Sequence, residues 1–127
     1  MAHVLLLEPD GLLGETYQKA LELSGHSVDR CREAQSAVHA IDTRLPDVIV
    51  TELELAVHNG IEFLYELRSY GEWQKLPVVV LSHLPAVDTG LMRALWGELN
   101  IAAYHYKPLT KLKDLVRSVE SVAVPAI

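Results

Sequence analysis

The chain has 127 residues, half of them hydrophobic and 22% charged, with a formal net charge of −6. That length fits one domain whose core needs no staples, and the acidic balance argues mildly against nucleic acid or an anionic membrane as a direct partner. A single cysteine excludes a disulfide framework and a cysteine zinc site, no apolar run approaches the ~20 residues of a bilayer span, and Met1-Ala2-His3 lacks the basic start of a signal peptide, so a cytoplasmic protein is expected.

"HVLLLE" (His3–Glu8) is a short apolar run of strand character. Behind it Leu13, Tyr17, Ala20 and Leu21 recur at helical spacing, and Ser24-Gly25 closes that helix. "HSVDRC" (His26–Cys31) is a second, more polar strand, on which Cys31 reads as a small strand residue. Ala34, Ala37, Val38 and Ile41 mark a second helix, ended before Pro46. "DVIVTE" (Asp47–Glu52) is the third strand. After the Asn59-Gly60 loop, Phe63, Leu64 and Leu67 mark the third helix. "PVVVLS" (Pro77–Ser82) is the fourth strand, and Leu91, Ala94, Leu95 and Leu99 mark the fourth helix. "AAYHY" (Ala102–Tyr106) is the fifth strand. Leu112, Leu115, Val116, Val119 and Val122 form the fifth helix, with Thr110 as its expected N-cap. Residues 1–122 are read as one domain, and 123–127 as a tail or the start of a linker.

Strands alternating with helices over short connections predict an α/β, doubly wound, five-stranded parallel sheet covered by five helices. "VLLL", "VIV" and "VVVL" are continuous apolar runs, which suits central strands buried on both faces. The second and fifth strands are more polar or interrupted, as sheet edges are. Right-handed crossovers then give the order 2-1-3-4-5, the flavodoxin-like arrangement.

Ligands in such sheets bind beyond the carboxyl ends of the strands. Glu8-Pro9-Asp10, Glu52, Ser82 and Lys107 stand at those ends. Carboxylates hold Mg²⁺ through oxygen, while a lysine and a hydroxyl bind phosphoryl oxygens. The plain alternative is that each is a polar strand-end residue meeting solvent. The six histidines, among them His58, His83 and His105, show no i, i+4 zinc spacing, so no metal centre is expected from them. His83 follows Ser82, and its ring either covers the pocket or decorates the surface.

The segments "HVLLLEPDGLLGETYQKALE", "LPDVIVTELELAVHNGIEFLYELR", "LPVVVLS" and "AAYHYKPLTKL" together resemble the receiver domain of bacterial two-component response regulators, over essentially the whole chain. The resemblance places Glu52 at the phosphoacceptor position, which is an aspartate in that family. It places Glu8 and Asp10 in the acidic pocket, and Ser82, Tyr104 and Lys107 at the switch and phosphoryl-oxygen positions. It also implies a cis Lys107-Pro108 bond.

Three positions depart from the family pattern. Glu52 carries an extra methylene, which moves its carboxylate outward. Pro9 replaces a direct metal ligand and offers neither side-chain oxygen nor amide donor. His83 replaces a small residue. Phosphoryl transfer depends on positioning and charge stabilisation, so an ångström-scale error costs on the order of 10²-fold.

The expectation is therefore an atypical receiver, a pseudo-receiver in phosphorelay-type signal transduction. It is not an enzyme, has no cofactor, and binds Mg²⁺ weakly or not at all. In this reading Glu52 stands as a permanent charge facing Lys107. The domain then works as a constitutive or partner-controlled interaction or dimerisation module. The expected surface joins the fourth helix, the fifth strand and the fifth helix, where Leu91, Met92, Trp96, Tyr104, His105 and Tyr106 lie. An output domain, a histidine kinase, another regulator or a second copy would bind there, with no direct nucleic acid and no membrane. The alternatives are a working phosphoacceptor with weakened Mg²⁺-dependent phosphorylation, or a flavodoxin-like cofactor binder. The last is disfavoured because "EPDGLLGET" places two acids where a cofactor phosphate would sit.

Overall fold

The computed structural model describes residues 1–55, 59–85 and 89–123. Within them β1 (His3–Leu7), α1 (Gly11–Leu23), β2 (Ser27–Cys31), α2 (Ala34–Thr43), β3 (Val48–Thr51), α3 (Gly60–Ser69), β4 (Val78–Ser82), α4 (Thr89–Trp96), β5 (Ala103–Tyr106) and α5 (Leu112–Val122) follow in turn, with 3-10 turns at Gly71–Trp73 and Lys107–Leu109. The strands form one parallel sheet in the order β2-β1-β3-β4-β5, as the apolar pattern predicts.

The sheet's two faces are covered by different helices. Alternate side chains point to opposite faces of a strand, so a strand buried on both sides needs apolar residues throughout. Leu5, Leu7, Ile49, Val78 and Val80 pack with Ile41, Phe63, Leu64, Leu67 and Leu95 from α2, α3 and α4. Val4, Leu6, Val48, Val50 and Val79 pack with Tyr17, Leu21, Leu115 and Val119 from α1 and α5. Each such side chain fully buried contributes roughly 1.5–3 kcal/mol of transfer free energy. The edge strands β2 and β5 are largely half-exposed, which their polar residues tolerate.

Helix ends follow local chemistry. Asp10 caps α1, its Oδ1 accepting from the Leu13 amide at 3.0 Å, and Gly25 just beyond that helix has φ +95°, a conformation that suits glycine. Asn59 caps α3 by accepting from the Glu62 amide at 2.7 Å.

Three expectations need correction. The N-cap of α5 is Lys111, not Thr110: the Asp114 carboxylate accepts from the Lys111 amide at 3.0 Å, while the Thr110 hydroxyl donates to the Tyr106 carbonyl at 2.7 Å. Helix α4 stops at Trp96, so Leu99 fills the core from the loop beyond, next to Asn100 at φ +50°. The Lys107–Pro108 bond is trans; Pro108 lies in a 3-10 turn, where its fixed φ near −65° fits. His58 and residues 124–127 of the tail lie outside the described residues.

Candidate functional site

Parallel strands in register end on the same side of a sheet. Leu7 pairs with Thr51, Thr51 with Val80, and Ser82 with Tyr106. The next residues of β1, β3 and β5 are Glu8, Glu52 and Lys107, so they share one rim with Ser82. The ladder reaches into them: the Glu8 amide donates to the Cys31 carbonyl and the Glu52 amide to the Leu7 carbonyl. Glu8 and Glu52 are each only 2% exposed and Ser82 is fully buried.

Charges taken out of water must be paired. Lys107 Nζ lies 2.6 Å from Glu8 Oε1 and 2.7 Å from Glu52 Oε1, and its side chain is nearly buried. Glu52 Oε1 also accepts from the His83 ring at 2.9 Å and more distantly from its amide at 3.3 Å. Glu52 Oε2 accepts from the amides of Leu53 at 2.6 Å and Glu54 at 3.1 Å. Burial alone would raise the Glu52 pKa. Hydrogen bonds from Lys107, Ser82 and the Glu54 amide, with the Lys107 charge, outweigh it and bring the value down to about 2. The same carboxylates raise the Lys107 pKa against the opposing effect of its burial.

His83 bridges two carboxylates. Its Nδ1 lies 2.9 Å from Glu52 and its Nε2 2.8 Å from Glu54 Oε2. A neutral imidazole has one donor and one acceptor, so it would set a lone pair against one of those anions. The hydrogen bond to Glu52, with that to Glu54 and both charges, raises the His83 pKa above its usual 6.5 despite some desolvation. The ring is half-exposed and stands over Glu52.

Backbone geometry fixes Glu52 from below. Gly60 opens α3 with its amide 2.6 Å from the Leu53 carbonyl, and a Cβ there would come within 2.6 Å of both the Glu52 carbonyl and Leu53 Cα. The Asn59-Gly60 pair thus lets α3 start directly against the residue that carries the carboxylate.

Asp10 does not join Glu8, Glu52 and Lys107. It is exposed, its carboxylate caps α1, and its amide donates to Glu8 Oε2 at 3.1 Å. Arg32 holds the intervening loop, its Nε donating to the Pro9 carbonyl at 3.0 Å. Tyr104 is half-buried; its hydroxyl donates to the Leu84 carbonyl at 2.5 Å, and the Leu84 amide donates to Ser82 Oγ at 3.2 Å. His105 lies on β5 with its Nε2 buried and unpartnered among the described residues.

The residues here do not fit a Mg²⁺ ion. The Lys107 ammonium lies between the two carboxylates that such an ion would need, Pro9 supplies no side-chain ligand, and Asp10 is committed to its helix. Among the described residues no three His, Cys, Asp or Glu side chains converge as a ligand set.

A family model described as the response regulator receiver domain matches residues 4–120. The chain belongs to that family. Receivers are signalling modules of two-component systems, generally not enzymes, that interact with kinases or output domains. The KDP operon transcriptional regulatory protein KdpE of Escherichia coli is 35% identical over 82 residues, which take in 65% of this receiver and 35% of KdpE. The receiver thus spans about a third of the length of the curated relatives it matches. The non-phosphorylated HemR receiver domain of Leptospira biflexa superimposes with a TM-score of 0.84 at 25% identity, covering 100% of this chain and 98% of that one. Chemotaxis protein CheY4 of Vibrio cholerae superimposes with a TM-score of 0.85 at 18% identity, covering 96% and 98% of the two chains, a likeness of fold. Among the described residues no helix is long and apolar enough to cross a membrane.

Two site residues escape a reading of the sequence. Glu54, two residues beyond Glu52, carries a faint signal as a second acid in the same loop. Arg32 carries none, because its bond to Pro9 depends on how the loop turns.

Proposed function

We propose that this receiver signals without phosphorylation of the usual kind. Glu52 acts as a fixed anion in the place of a phosphoacceptor, and the domain works as a constitutive or partner-controlled interaction or dimerisation module. The observation that carries this reading is that Glu52 Oε1 already holds both Lys107 Nζ, at 2.7 Å, and His83 Nδ1, at 2.9 Å. A nucleophilic carboxylate needs an uncommitted lone pair and a cation to shield the incoming phosphoryl group. Here the cation and the lone pairs are taken up with each other.

The partner surface in this reading is the α4–β5–α5 face. Trp96 is half-exposed on α4, Tyr104 and Tyr106 are half-buried on β5, and aromatic residues of this kind anchor interfaces. Tyr104 links that face to the site through Leu84 and Ser82. The partner is an output domain, a histidine kinase, another regulator or a second copy, in the cytoplasm and without direct nucleic-acid contact. In this reading residues 1–122 form the domain and 123–127 a tail or the start of a linker, and the end of α5 at Val122 supports that boundary.

Glu52→Ala tests the charge. If Glu52 holds the face in a binding-competent form, self-association or partner affinity falls; an unchanged value removes that role. Acetyl phosphate with Mg²⁺ followed by intact mass tests the chemistry, and the gain of one phosphoryl group would establish a working phosphoacceptor instead.

A further inference from the structure

A groove of about 770 Å³ opens between α2, α3 and the Gly71–Trp73 turn, on the α2–α3–α4 side of the sheet. Its floor is apolar: Phe63 and Trp73 are buried at 1% and 5% exposure. Its rim carries the exposed carboxylates of Asp42, Glu62, Glu66 and Glu72, and among the described residues no lysine or arginine lines it. Those of Asp42, Glu66 and Glu72 make no ion pair or hydrogen bond among the described residues.

Arg68 ties down the turn that bears Glu72 and Trp73: its guanidinium donates to the carbonyls of Trp73 at 3.0 Å, Leu76 at 2.9 Å and Leu99 at 2.9 Å. Tyr70, 39% exposed, tilts against the Trp73 ring with centroids 4.7 Å apart.

We propose that this groove docks an arginine-bearing peptide segment of a partner protein. Charge complementarity selects a cationic occupant, because clustered like charges repel one another and attract opposite ones. The Tyr70 ring, 39% exposed, favours guanidinium, which stacks on a ring face while its fork pairs with carboxylates. A segment fits better than a free cation. Glu62 and Glu66 stand one turn apart on α3, and Gln35, Val38 and Asp42 run over two turns of α2. A row about 10 Å long exceeds the reach of one guanidinium. The site is distinct from Glu52, so this inference stands or falls apart from the proposed function.

The test uses a short fluorescein-labelled peptide alternating arginine with leucine, its citrulline counterpart, and free argininamide, titrated into the full chain. Anisotropy gives affinity and amide NMR gives location. The arginine peptide is expected to bind and to shift the Trp73 indole and the Val38 and Glu66 amides. The E66Q/E72Q double variant weakens it about tenfold, whereas E15Q/E22Q on α1 changes it less than twofold. The citrulline peptide binds at least tenfold more weakly to the wild-type protein, an arm that needs no variant to fold. The proposal is overturned if the citrulline peptide binds equally well, if both double variants lose the same affinity, or if the shifts fall outside the groove. It is equally overturned if argininamide binds there as tightly as the peptide, which would make the groove a small-cation site.

Discussion

Glu52 and Lys107 form a buried ion pair, 2.7 Å between Oε1 and Nζ, and Glu8 shares the same ammonium at 2.6 Å. One cation therefore serves two carboxylates that are each 2% exposed. Glu52 has further support from the His83 ring and the Leu53 and Glu54 amides.

Lys107→Met leaves Glu8 without its cation and Glu52 with only the half-exposed His83 ring beside it. Removing one partner of a buried pair costs about 3–5 kcal/mol, far more than the pair adds over an apolar pair of the same shape. Urea unfolding at neutral pH is expected to show a loss in that range, partly recovered by adding Glu8→Gln. A loss below about 1 kcal/mol would mean that water reaches the pair.

The depressed Glu52 pKa links stability to acid. A carboxylate whose folded value lies below its unfolded value stabilises the fold above the unfolded pKa, and that contribution fades as pH falls through the folded one. For Glu52 the window runs from 4.5 down to about 2. The full contribution is on the order of 3 kcal/mol. Glu52→Gln is expected to be less stable than wild type at pH 7 by an amount of that order, and the gap should close as the pH approaches 2. A gap independent of pH would place the cost in packing rather than charge.

His83 titrates in the opposite sense. Its pKa is raised by Glu52 and Glu54, so the stability it confers is present below 6.5 and is lost as pH rises through the folded value. The ring is half-exposed, and solvent screening keeps the energy small. Imidazole NMR titration should find His83 above 6.5, and Glu54→Gln should lower it. A value at or below 6.5 would mean that the ring does not bridge the two acids.

Gly60→Ala probes the support beneath Glu52. A Cβ there meets backbone at 2.6 Å rather than a flexible side-chain tip, so the start of α3 must shift. Overpacking of this kind costs about 1–3 kcal/mol. Denaturant unfolding should report it, with NMR shifts centred on Glu52 and Leu53. Wild-type stability would show that the loop gives way freely.

The sheet order was legible because "VLLL", "VIV" and "VVVL" must be buried on both faces, and the convergence of Glu8, Glu52, Ser82 and Lys107 follows once those strands run parallel. What was not legible depends on loops. Asp10 looks like a pocket acid in sequence, yet the free Leu13 amide at the start of α1 claims its carboxylate. His83 bridges Glu52 and Glu54 only because the loops after β3 and β4 bring them within 2.9 Å. Thr110 has capping chemistry but bonds backward to Tyr106, which leaves Lys111 and Asp114 to begin α5. The fourth helix ends early because the chain turns at Gly97 and Asn100, a change that the apolar spacing through Leu99 conceals.

Intact mass after incubation with acetyl phosphate and Mg²⁺ tests the central claim most directly. The wild-type chain is expected to gain no phosphoryl group, because Lys107 and His83 already occupy Glu52 Oε1. A wild-type adduct of one phosphoryl group that disappears in Glu52→Gln would contradict the account.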